Sequence, residues 1–219
     1  MKLPPLHKRL LADILELGSP YPLVLTGGYA VQAHGLVERF SRDLDVATEN
    51  PAPMDEIVAS LTAGLTARGW RIAHVQSDPL SGRFLVADPD TGEECEVDVL
   101  KEAFWAPPAQ TPYGPALSLD DVIGTKVRAL ADRGTVRDLI DVQAASRHRS
   151  IADLEALGRR RAHDEFSLED LRDRLTGADW YEDEDYAAYG LTARQITELK
   201  AWALQWAQDL GTRIRNEDG

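Results

Sequence analysis

The sequence predicts an α/β (α+β) domain followed by a helical domain, and three observations predict it. Up to residue 105, strand-length apolar runs alternate with amphipathic stretches of helix length. Pro107, Pro108, Pro112 and Pro115 then cluster in one extended stretch. From Ser118 onward the apolar residues recur at helical spacing. The organisation expected is an α/β core over 1–105, a proline-rich connector over 106–117 and a helical domain over 118–219.

Leu6, Leu10, Leu11, Ile14, Leu15 and Leu17 fall at helical spacing, and Gly18-Ser19-Pro20 stops that helix. Tyr21 to Leu25 is a short apolar run that breaks at Gly27-Gly28, which predicts a buried strand and then a short helix from Tyr29 to Gly35. Asp43 to Thr48 alternates polar and apolar residues, so it reads as a strand. Asp55 to Arg68 is an amphipathic helix closed by Gly69. Three strands should follow, at 71–76, 83–87 and 94–100; Asp90-Thr91-Gly92 makes an antiparallel hairpin of the last two. Helices are expected at 119–132, 136–147, 151–163, 167–175 and 192–214. Leu199, Trp202, Trp206 and Leu210 share one face of the last and should be core or a subunit contact.

Charge and cysteine content narrow the function. With 24 Lys and Arg against 37 Asp and Glu, the net charge is −13. A broad nucleic-acid-coating surface needs clustered cations, so that class is disfavoured, although a small basic site is compatible. Arg159-Arg160-Arg161 is the one dense basic cluster; it could receive an RNA backbone, although a solvated helix face is the simpler reading. A single cysteine, Cys95, excludes an internal disulfide framework and a multi-cysteine zinc site, and it fits a reducing cytoplasm. The first 17 residues are broken by charges, unlike a signal peptide. No run of about 18 apolar residues occurs, so no membrane helix is expected.

The chemistry concentrates around two aspartates. Asp43 and Asp45 are two apart on a strand, so both carboxylates project from one face. Two like charges there call for a counter-cation, and hard oxygens suit Mg²⁺. Glu94, Glu96 and Asp98 share a face of a later strand, so Asp98 or Glu96 is a candidate third carboxylate of a metal site. Gly27-Gly28, at a strand-to-helix junction, lets backbone amides approach a phosphate. His163-Asp164 resembles part of a phosphohydrolase motif but lacks the further His and Asp ligands, and His7, His34 and His74 are too scattered for zinc.

Thr26-Gly27-Gly28 followed by Arg39-Phe40-Ser41-Arg42-Asp43-Leu44-Asp45 resembles the signature of polymerase-β-type nucleotidyltransferases. It is most similar to their AbiEii/AbiGii toxin branch, which includes the MenT tRNA-modifying toxins. That branch carries a later Lys and an Arg-Asp-x-x-Asp on helices, matched here by Lys126 and by Arg137-Asp138-Leu139-Ile140-Asp141. The resemblance spans residues 21–145 and implies a nucleotidyltransferase domain with a mixed sheet. It implies transfer of a nucleoside monophosphate from an NTP to an acceptor hydroxyl, with Mg²⁺ or Mn²⁺, in a toxin–antitoxin or abortive-infection system. The implied acceptor is the 3′ end of tRNA, and the implied partner a cognate antitoxin protein.

Residue by residue, the resemblance gives Asp43 and Asp45 to the metal, with Asp98 as third ligand. Gly27, Gly28 and Ser41 would hold phosphate, and Lys126 the triphosphate. Asp138 would orient or deprotonate the acceptor hydroxyl, or help bind the nucleotide, with Arg137 and Asp141 also in nucleotide binding. Simpler uses compete: a solvated Lys126, a turn-capping Ser41, a solvated Glu96, and a surface ion-pair cluster of Arg137, Asp138 and Asp141. Two other functions stay open: a small-molecule nucleotidyltransferase like the aminoglycoside-modifying enzymes, and an inactive binding protein that keeps the fold.

Overall fold

Residues 3–39, 41–160 and 166–217 are described by the structure, a computed structural model. Phe40, Arg161 and His163-Asp164 therefore lie outside the described residues. The chain divides into two units, Met1–Leu119 and Asp120–Gly219.

In the first unit, α1 (Pro5–Leu17) starts on Pro5, whose fixed φ suits a first helical turn. It buries Leu6, Leu10, Leu11 and Ile14. β1 is only Val24–Leu25, shorter than the apolar run. Pro22 has no N–H to give a ladder, and the preceding segment is held by side chains: Thr48 Oγ1 and Asn50 Nδ2 donate to the carbonyls of Tyr21 and Pro20. α2 (Gly27–Ala33) begins on the glycines themselves. β2 (Leu44–Thr48) and α3 (Met54–Ala67) follow where the periodicity places them.

β3 (Arg71–Ser77), β4 (Ser81–Ala87) and β5 (Glu94–Lys101) complete one side of a mixed sheet. β4 and β5 are the antiparallel hairpin that the Asp-Thr-Gly turn calls for. β5 runs parallel to β2, with Leu44 opposite Val97 and Asp45 opposite Asp98. The proline-rich stretch is more than a connector. It forms a small hairpin, β6 (Ala109–Thr111) and β7 (Gly114–Ala116), and Ala116 pairs in parallel with Leu25. The sheet thus has seven strands in the order β3-β4-β5-β2-β1-β7-β6.

Alternation along the central strands decides the two faces. Leu44, Val46, Phe84, Val86, Cys95, Val97 and Val99 enter one core with α1 and with Met54, Ile57, Val58, Leu61 and Leu65 of α3. Asp45, Asp98 and Arg83 stand on the opposite face, as period-2 geometry requires.

The second unit contains α4 from Asp120 onward (α4 is Leu119–Arg133), α5 (Val136–Ala145), α6 (Ile151–Arg160), α7 (Leu168–Thr176), α8 (Asp183–Ala187) and α9 (Ala193–Glu217). A 3₁₀ turn at Gly177–Trp180 and α8 occupy an acidic, aromatic stretch with no helical period of its own. Leu199, Trp206 and Leu210 of α9 are buried, as their spacing predicts. Buried Glu155 on α6 ties that helix to α9: it accepts from Trp206 Nε1 at 3.0 Å and from Arg213 Nη1 at 3.0 Å. Among the described residues no helix is long and apolar enough to cross a membrane.

Candidate active site

In the first unit, the glycine turn is bound to the aspartate strand by its backbone. Thr26 N donates to Asp45 O at 3.0 Å, and Gly27 takes φ +58°, a left-handed conformation that glycine adopts without strain. A methyl group on Gly27 would lie 2.8 Å from Asp45 Cβ and collide with its carboxylate. One on Gly28 would collide with the Ser41 hydroxyl and lie 3.0 Å from Ser41 Cβ. The missing side chains therefore let the turn close directly on Asp45 and Ser41, and Gly27, Gly28, Ser41 and Asp45 form one group. Asp43 lies just before β2, two residues from Asp45, and both are half-buried. Their charges act together on Tyr29 and Cys95, raising both pKa values on top of the larger effect of burial. The Cys95 thiol is pushed up to about 12, so it stays protonated and unreactive at neutral pH.

The loop bearing Ser41 is anchored by two residues that motif reading missed. Tyr29 on α2 donates its hydroxyl to Ser41 O at 3.1 Å, and His7 Nδ1 lies 2.5 Å from the same hydroxyl. The single phenolic hydrogen goes to Ser41, so Nδ1 of His7 carries the proton and donates. Their sequence signal was slight: a histidine on the apolar face of α1 and a tyrosine directly after the glycines. Burial lowers the His7 pKa, and the charges of Asp43 and Glu93, which act upward, do not overcome it.

A folded pKa below the unfolded value of about 6.5 means that protonation favours the unfolded chain. The contribution is complete above about pH 6.5 and is lost as pH falls through the lowered folded value. His7→Gln is therefore expected to flatten the dependence of the urea midpoint between pH 7.5 and 5.5. An unchanged slope would place the acid-sensitive group elsewhere.

Asp98 sits in register beside Asp45, but Arg83 holds both of its oxygens, Nε to Oδ1 at 2.7 Å and Nη2 to Oδ2 at 2.8 Å. Glu96 is not simply solvated either, since Arg83 Nη1 lies 3.1 Å from its Oε1. Among the described residues no group of three His, Cys, Asp or Glu side chains is placed to hold a metal. The donor set on offer is two carboxylates. That suits Mg²⁺, which commonly binds through one or two carboxylates plus substrate phosphates and waters.

In the second unit, Lys126 on α4 pairs with Asp141 on α5 at 3.0 Å, and both are buried, at 8% and 1% exposure. Arg137, on the same helix, is half-buried. Asp138 is wholly buried. It accepts from Thr135 Oγ1 at 2.6 Å and Thr135 N at 3.3 Å, a capping box that starts α5. It also accepts from Arg133 Nε at 2.8 Å and Nη2 at 3.0 Å. Burial acts to raise its pKa, but the hydrogen bonds from Arg133 and Thr135 outweigh it and the pKa is lowered.

One expectation changes here. Asp138 and Asp141 are not a surface ion-pair cluster, because neither is exposed. Asp138 in this structure is enclosed by Arg133 and Thr135, so it holds Arg133 and the start of α5.

The AbiEii family model, a nucleotidyl transferase toxin of a type IV toxin–antitoxin system, matches residues 9–210. The chain belongs to that family. It is a nucleotidyltransferase by that membership, of a toxin family whose systems pair a toxin with an antitoxin and whose enzymes use NTP and a divalent metal. Among solved structures it is similar to JHP933 from Helicobacter pylori, at 20% identity and TM-score 0.56 over 99% of this chain and 98% of that one. It is also similar to MenT4, a nucleotidyltransferase toxin from Mycobacterium tuberculosis H37Rv, at 18% identity and TM-score 0.59 over 92% of this chain and 83% of that one. At these identities the likeness concerns the fold. No curated protein matches the sequence.

Proposed function

We propose that this AbiEii-family protein transfers a nucleoside monophosphate from an NTP to the hydroxyl at the 3′ end of tRNA, with Mg²⁺, and acts as a toxin by doing so. The closure of Gly27-Gly28 onto Asp45 and Ser41 carries the reading, because it sets phosphate-binding amides beside carboxylates that suit a cation. A bound Mg²⁺ would supply positive charge against the triphosphate as pyrophosphate leaves. Asp43 and Asp45 are the residues that would hold it. The Gly28 amide and the Ser41 hydroxyl donate to phosphate oxygens, and the Tyr29–His7 pair keeps Ser41 in place. In the helical unit the family pattern gives Lys126 to the triphosphate, with Asp141 and Arg137 supporting it, and Asp138 positions α5.

The net charge of −13 favours a second reading, in which the acceptor is a small cationic molecule. One experiment separates the two. The protein is incubated with Mg²⁺, each labelled NTP in turn and total RNA, and in parallel with a panel of aminoglycosides. Labelled tRNA is the expected product, and Asp43→Ala is expected to lower the yield by about 10³-fold or more, the loss of a cation's electrostatic contribution. Label on the small acceptors alone would transfer the function to them. Undiminished transfer by Asp43→Ala would remove the aspartate pair from the chemistry.

A further inference from the structure

Three charged side chains stand in a row across one face of the sheet. Asp45 of β2 is opposite Asp98 of β5, and Asp98 is opposite Arg83 of β4. Residues directly opposite one another in adjacent strands project to the same face, and adjacent strands lie about 4.8 Å apart. Asp45 and Asp98 are therefore neighbouring like charges.

For Asp98 the chain supplies Arg83 as a cation. The Arg83 fork meets both carboxylate oxygens in the bidentate geometry that makes guanidinium–carboxylate pairs strong and directional. Its third nitrogen is taken by Glu96, so the guanidinium is held from both sides. The Asp98 side chain is 13% exposed and that of Arg83 52%, so the carboxylate end of the pair is the sheltered one. A metal on Asp98 would have to share its two oxygens with this pair and sit within a few ångströms of the Arg83 guanidinium.

We infer that Arg83 is the resident cation of the Asp98 corner, so that the protein takes one divalent cation through Asp43 and Asp45 and none through Asp98. This rests on Asp43 and Asp45 being the cation site. It departs from the three-carboxylate arrangement that holds two metals for nucleotidyl transfer. A fixed guanidinium keeps positive charge beside the aspartates whether or not the metal is bound, and its position is set by strand register.

The test counts ions instead of turnover. Mn²⁺ bound per chain is measured by electron paramagnetic resonance of the free ion, with a non-hydrolysable NTP analogue present, and folding of each variant is checked by thermal melt. The wild-type protein is expected to bind one Mn²⁺, and Asp98→Asn to bind one as well. Arg83→Gln, which releases the Asp98 carboxylate, is expected to bind two. A wild-type count of two overturns the inference, whether or not Asp98→Asn lowers it, and so does a folded Arg83→Gln that still binds one. Asp43→Ala reports separately on the underlying site: a count equal to wild type would show that the aspartate pair does not hold the ion, whatever Arg83 does.

Discussion

Replacing Gly27 by alanine is expected to lower nucleotidyl transfer by about 10²-fold or more, because the new methyl group and the Asp45 carboxylate cannot occupy the same space. Displacing a reacting group by about 1 Å can cost that much rate. The left-handed φ of +58° adds about 1–2 kcal/mol of backbone strain for a residue with a Cβ. That corresponds to a fall of roughly 2–8 °C in melting temperature for a chain of this size. Gly92→Ala is the control. Gly92 also has a left-handed φ, +72°, in the β4–β5 turn, and nothing lies within 4 Å of a Cβ built there. It should show the strain without the collision: a comparable loss of stability and transfer near the wild-type rate. If both variants keep wild-type transfer rates, the contact between Gly27 and Asp45 has no part in catalysis.

The same contrast explains what could be read from the sequence. Periodicity located α1, α3 and the β4–β5 hairpin because their apolar faces are amphipathic and their ends carry Gly and Pro. It gave α2 too late a start, since Gly27-Gly28 reads as a breaker and the tertiary contacts that fix it as a helix start come from Asp45 and Ser41. The β6–β7 hairpin was hidden by its prolines. Its strands are three residues each, too short for a pattern, and only pairing with Leu25 fixes their place.

The site divides in the same way. Asp43, Asp45, Ser41 and the glycines are close in sequence and carry a recognisable spacing, so they could be named as candidates. What Asp98 and Asp138 do depends on Arg83 and Arg133, whose roles come from strand register and from the turn before α5. An arginine on a surface strand or at a helix end carries no marker of its partner. Both carboxylates were therefore legible as acids and illegible as acids already matched to a cation. The anchor of Ser41 was beyond reach for a similar reason, because His7 and Tyr29 are 22 residues apart and meet only through the fold.

Lys126→Met is expected to lose about 3–5 kcal/mol of stability, the range for removing one partner of a buried ion pair. Asp141 has no exposed side-chain surface, so removing Lys126 takes a cation away from a buried carboxylate. An apolar pair of similar volume needs no such compensation, so Lys126→Met combined with Asp141→Leu should recover much of the loss. Urea denaturation of the full chain measures both variants. The recovery also separates two roles that one lysine can play. If Lys126 serves the triphosphate as the family pattern gives, the double variant is stable yet still defective in transfer, with a raised KM for the NTP. If its work is confined to Asp141, the double variant regains activity together with stability. Stability that does not return in the double variant would mean that the buried carboxylate was not the source of the loss.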